Sequence, residues 1–121
     1  MEKFHALVII NSLTKAEIFS DYKLLSKKTD GSWLIFKLEL NNDNIDRFIK
    51  DIQRNLKEDQ GWYTHLYNQD GSKLIIIFKN KVFHTNSLRD NWQDAIKYGV
   101  SIRIPIEQLD FRPNNFENEK Y

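Results

Sequence analysis

The chain has no cysteine among its 121 residues. That absence excludes disulfides, thiolate nucleophiles and cysteine-based zinc sites together. Its four glycines are scattered at turns and helix ends, so there is no glycine-rich loop to cradle a phosphate. Neither sign of charge dominates: 18 Lys and Arg stand against 17 Asp and Glu. A phosphate backbone as the main partner calls for a basic excess, so the balance argues against one and leaves room only for a local basic patch. No apolar run approaches the length needed to cross a bilayer. The opening MEKFHALVIIN is charged at its start, but its apolar run covers only residues 6–10 and no small-residue cleavage site follows. A signal peptide is therefore not expected, and the expectation is a soluble, cytoplasmic protein with no cofactor and no membrane association.

What is present suffices for a core. Apolar residues make up 40% of the chain and aromatics 13%, which argues against general disorder. The length fits one domain burying roughly two-thirds of its unfolded surface.

The stretch from Gly61 to His84 organises the rest. Trp62, Thr64 and Leu66 alternate with Tyr63, His65 and Tyr67, the period of two of a strand. Asp70-Gly71 accepts positive φ and marks a hairpin turn. Residues 74–78 form an unbroken apolar run, as in a strand buried on both sides. A two-residue turn sets Tyr67 opposite Leu74, His65 opposite Ile76 and Tyr63 opposite Phe78.

Upstream, residues 4–11 read as a strand, and Thr14 and Glu17 have the spacing of a capping box opening a short helix that fades near Asp21. A second hairpin around Asp30-Gly31 joins residues 22–28 to 32–40, with Leu25 opposite Phe36 and Lys23 opposite Leu38. Ile45, Phe48, Ile49, Ile52 and Leu56 recur at steps of three and four, which predicts an amphipathic helix capped by Asn42 or Asp43. A third helix is expected from Ser87 to Tyr98, with Leu88, Trp92, Ala95 and Ile96 as its stripe and Gly99 as its left-handed end. Residues 100–104 read as a short strand or extended arm, and Pro105 opens one helical turn. The segments beginning Asp30-Gly31-Ser32 and Asp70-Gly71-Ser72 echo each other, either as two helix–hairpin units or simply as what hairpins use.

This order predicts an α+β fold: an antiparallel sheet with helices on one face, a ferredoxin-like βαββαβ core, an extra strand and a C-terminal helix. Residues 1–111 form a single domain and residues 112–121 a flexible polar tail. Gly61-Trp62-Tyr63, His65, Tyr67 and the run Phe78-Lys79-Asn80-Lys81-Val82-Phe83, with Trp92, Tyr98-Gly99 and Ile104-Pro105, resemble small prokaryotic proteins of unassigned function. The resemblance spans most of the chain and implies no activity, substrate or catalytic residue.

The candidate site is the outward face of the central hairpin. Tyr63, His65 and Tyr67 would line a surface floored by aliphatic groups, with Lys79 and Lys81 attracting an anion. His65 is the candidate acid or base, and a tyrosine would donate to developing charge. The rival reading makes these good strand residues whose rings pack and whose polar tips reach water. His5, His65 and His84 lack the spacing of a metal-ligand set. No serine sits in a nucleophile elbow. Three readings follow. The first is a non-catalytic binding module presenting this aromatic and histidine face to a small molecule, a protein partner or a second copy of itself as a homodimer. The second is a small enzyme acting on an anionic small molecule through His65, and the third a binder of single-stranded nucleic acid.

Overall fold

The computed structural model describes residues 2–15 and 20–121. Its centre is β1 (Lys3–Ile9), which pairs antiparallel with a strand on each side. On one side lie β3 (Trp33–Asn41) and then β2 (Lys23–Asp30). On the other lie β4 (Tyr63–Asn68), β5 (Leu74–Phe78) and β6 (Lys81–Thr85). The six strands run in the order β2-β3-β1-β4-β5-β6, every neighbour antiparallel. Helix α1 (Ile45–Asn55) links the two halves, and α2 (Gln93–Ser101) follows the last strand. The molecule is α+β, with one more strand than the repeated hairpins predict. The extra strand arises because Lys79-Asn80 turns the chain straight back, setting Lys81 opposite Phe78. The helix expected around Thr14 and Glu17 lies partly outside the described residues.

The central hairpin pairs as the alternation and Asp70-Gly71 require: Tyr63 with Phe78, His65 with Ile76 and Tyr67 with Leu74. Gly71 takes φ +77°. There Asn114 O would stand 2.7 Å from an added Cβ, so the position needs glycine twice over. The first hairpin differs from expectation. Its turn is Gly31-Ser32, so Asp30 meets Trp33, and the register shifts between Leu24 and Ser26. Leu25 falls at that bulge and faces no partner, in place of the predicted pairing with Phe36.

Helices do not share one face of the sheet. The stripe Ile45, Phe48 and Ile52 of α1 packs on Phe4, Ala6 and Val8 of β1, Leu38 and Leu40 of β3, and Ile75 and Ile77 of β5. The opposite face carries Tyr67, Leu74, Ile76 and Phe78, and these pack under Trp92, Ala95, Ile104, Leu109 and Phe111. All five residues of β5 are buried. Successive side chains of a strand point to opposite sides, so a strand apolar throughout needs a cover above and below. Leaving Leu74, Ile76 and Phe78 bare would forfeit about 1.5–3 kcal/mol each.

The second cover is built by α2 and by the chain after it. Trp92 is buried as its spacing predicts, with its indole N–H donating to Asn86 O at 2.8 Å. Leu88, expected in the same stripe, is 64% exposed because it precedes the helical turn Arg89–Trp92. Gly99 does not end the helix. It lies inside α2, where an added Cβ would stand 2.5 Å from Leu109 Cδ2, and this close approach seats Leu109. Residues 100–104 form no strand: α2 runs through Ser101 and then turns sharply. Residues 112–121 lie along the sheet rather than trailing from it, as the contacts below show. None of the helices among the described residues is long and apolar enough to cross a membrane.

Candidate functional site

Tyr63, His65 and Tyr67 do share one face, and the hairpin brings them together as the alternation predicts. They do not look outward. His65 is 6% exposed and Tyr67 is fully buried, while Tyr63 is half-buried. Their cover is the chain beyond α2. The Tyr63 hydroxyl donates to Gln108 O, and its ring meets Phe111 edge-on at 5.3 Å. His65 Nε2 lies 3.0 Å from Pro113 O, an atom that only accepts, so the ring proton sits on Nε2. The Tyr67 hydroxyl donates to Glu119 Oε2 at 2.7 Å.

Glu119 is the anchor of this C-terminal strap. It also accepts from His5 Nδ1 and lies 3.5 Å from Lys37 Nζ. Phe116 stacks on the His5 ring at 3.7 Å, and the Tyr121 hydroxyl lies 2.6 Å from Ser26 Oγ. The polar residues that read as a loose tail are therefore the hydrogen-bonding partners of the sheet.

Burial sets the electrostatics of this face. It pushes the His65 pKa down to about 4, against the smaller opposing effects of the Pro113 carbonyl and Asp110. The ring is neutral across the physiological range. Burial also raises the Tyr63 and Tyr67 phenols, Tyr63 further through Asp110 and Tyr67 through its bond to Glu119. Burial alone would raise Glu119, but the hydrogen bonds from His5 and Tyr67 outweigh it and leave the carboxyl below its usual range. A ring sealed from water and held neutral is poorly placed to shuttle protons.

Lys79 and Lys81 do not join this face. Lys79 Nζ donates to Gln53 O at 2.9 Å, while Gln53 Nε2 donates to Phe78 O at 3.0 Å, a reciprocal clamp between α1 and the β5–β6 turn. Lys81 lies over the Phe83 ring, 5.8 Å from its centroid. Among the described residues no three of His, Asp and Glu are grouped to hold a metal ion.

Among the depressions that open on the surface of the described residues are two broad ones. The wider, about 830 Å³, is bordered by Glu2, Asn68, Asp70, Phe116 and Glu117. Two of its three carboxylates are already engaged: Glu2 by Asn68 Nδ2 at 2.9 Å and Lys73 Nζ at 2.8 Å, Asp70 by the Ser72 amide at 3.0 Å. The second, about 600 Å³, is lined by Lys57, Trp62, Lys79, Tyr98 and Arg103, with Glu58 and Asp59 also on its wall. This volume falls in the range of small-molecule sites.

That groove is assembled by the end of α2. The Ile104 amide bonds to Gly99 O and the Arg103 amide to Val100 O, each at 3.0 Å. These are the paired bonds of a Schellman cap, whose left-handed position usually holds glycine. Here it holds Arg103, at φ +72°. The chain entering β4 presses on this cap: an added Cβ on Gly61 would stand 2.5 Å from Ile104 Cγ1 and 2.8 Å from Ile102 O. The close approach sets Trp62 beside the cap. Its indole N–H donates to Asp59 Oδ1 at 3.0 Å, and Trp33 meets the ring at 6.0 Å. Tyr98 packs at 4.9 Å from the Phe78 ring.

Sequence reasoning found Lys79 but missed Lys57, Trp62, Tyr98 and Arg103 as a group, because they come from two stretches, 57–62 and 98–103, that lie far apart in the chain. Comparison with protein-family models, with curated proteins and with solved structures returned no match.

Proposed function

We propose that this chain is a small non-catalytic binding module whose ligand surface is the groove between the Lys57–Trp62 segment, the β5–β6 turn and the end of α2. The observation that carries the reading is chemical. Trp62 and Tyr98 line the groove beside Lys57 and Arg103, and neither cation has a side-chain partner among the described residues. The aromatic and histidine face, by contrast, is occupied by residues of the chain itself, and the neutral, buried His65 weighs against an enzyme built on it. The strand order supports a ferredoxin-like reading of the first four strands. β3 lies between β1 and β2, which point the same way, as in a split βαβ unit, and β4 flanks β1. On that reading β5, β6 and α2 extend the plait and supply one wall of the groove.

The test is an NMR-observed screen of small molecules of mixed character, neutral, cationic and anionic, against the labelled chain. Shifts confined to the Trp62 indole and to the amides of Tyr98 and Arg103 are expected for at least one class. A screen in which no compound moves these signals would overturn the reading.

A further inference from the structure

We infer that the groove takes a planar aromatic ring carrying an anionic group, a phosphate or a carboxylate. This rests on the groove being the ligand surface and goes further in naming what fits it. Three cations, Lys57, Lys79 and Arg103, face two carboxylates, Glu58 and Asp59. Asp59 is already bonded to the Trp62 indole, and Lys79 to Gln53 O, so the charges without a side-chain partner are the two cations Lys57 and Arg103 and the single carboxylate of Glu58. An anion placed between the two cations gains charge-assisted hydrogen bonds. Two aromatic side chains, Trp62 and Tyr98, line the groove, and the Asp59 bond together with Trp33 holds the indole in place, which suits the packing of a flat ring.

The backbone at Arg103 is the second line of argument. A left-handed residue with a Cβ is disfavoured, and the Schellman cap at this position is one that glycine fills without strain. No hydrogen bond or ion pair of the arginine head offsets the strain among the described residues. Strain held at one residue whose side chain stands free on a groove is what a ligand contact would explain. The guanidinium is also the side chain best shaped to grip a phosphate or carboxylate through two parallel bonds.

The experiment follows Trp fluorescence and amide shifts with four probes: adenosine monophosphate, indole-3-acetate, adenosine and inorganic phosphate. Saturable binding of either of the first two, with adenosine and phosphate each at least about tenfold weaker, is expected. Which of the first two binds tells phosphate from carboxylate. The Arg103→Gly variant should lose about tenfold or more in affinity while its thermal midpoint rises, a combination that a purely structural arginine would not give. Lys57→Gln, on a side chain without partners, should weaken binding with the midpoint unchanged. If neither ring-bearing anion binds, or if adenosine or phosphate alone binds as tightly, the inference fails. It also fails if both variants bind as the parent does. Groove shifts with neutral or cationic compounds only would sink this inference while leaving the binding-module reading standing.

Discussion

Arg103 is the residue at which the proposed use of the groove and the stability of the fold pull apart. Its φ of +72° places a Cβ where glycine is at ease. The left-handed conformation costs a residue with a side chain about 1–2 kcal/mol, partly offset because glycine also loosens the unfolded chain. Arg103→Gly should therefore stabilise the fold by about 1 kcal/mol, measured by urea denaturation. A loss of stability would mean that the arginine side chain holds the cap. Gly99 and Gly61 behave oppositely. At each, an added Cβ would stand 2.5 Å from a neighbouring side chain, Leu109 and Ile104 respectively, so their value is the room they leave and not a dihedral angle. Sequence alone marks Gly99 as a helix end, since glycine after an amphipathic stripe commonly is one. Only the packing of Leu109 shows that it is a seat.

Among the elements, the β4–β5 pair and α1 were the most legible, for different reasons. The first has strict alternation, an Asp-Gly turn and an all-apolar second strand, and its register follows from these. The second has an apolar stripe wide enough to name its buried residues, Ile45, Phe48 and Ile52. The strap was not legible. Its polar composition reads as loose chain, yet Glu119 and Tyr121 there meet groups on the sheet. A signal did exist: Leu74, Ile76 and Phe78 on one side of β5 demanded a cover, and few apolar residues remained to provide it beyond α2. Glu119 tests the strap as an element. Glu119→Gln removes the charge that Tyr67, His5 and Lys37 share. The expected loss is about 1–3 kcal/mol by urea denaturation, with the β1 and β4 amides gaining hydrogen exchange. A change within a few tenths of a kcal/mol would mean that the strap contributes little.

At the scale of the whole molecule, one sheet carries a core on each face, and the proposed groove lies at a rim. The candidate residues were read as a set because they share a strand face, and they do; their exposure could not be read, since it depends on a segment about fifty residues away. The covered histidine also gives the molecule an acid limb. A ring with pKa about 4 when folded and about 6.5 when unfolded binds fewer protons in the folded state between those values. Its contribution is complete above about pH 6.5 and is lost as pH falls toward 4, amounting to about 3 kcal/mol. Glu119, lowered when folded, acts in the same direction at lower pH. His65→Gln should flatten stability between pH 7 and 4 relative to the parent chain, leaving the Glu119 part at the acid end.

The most direct measurement is the NMR titration of the His65 ring in the intact chain. Beneath Pro113 and the strap it should stay neutral through the physiological range and take its proton only near pH 4. A ring titrating near pH 6.5 would put the Tyr63–His65–Tyr67 face back in water and contradict the two-sided sheet.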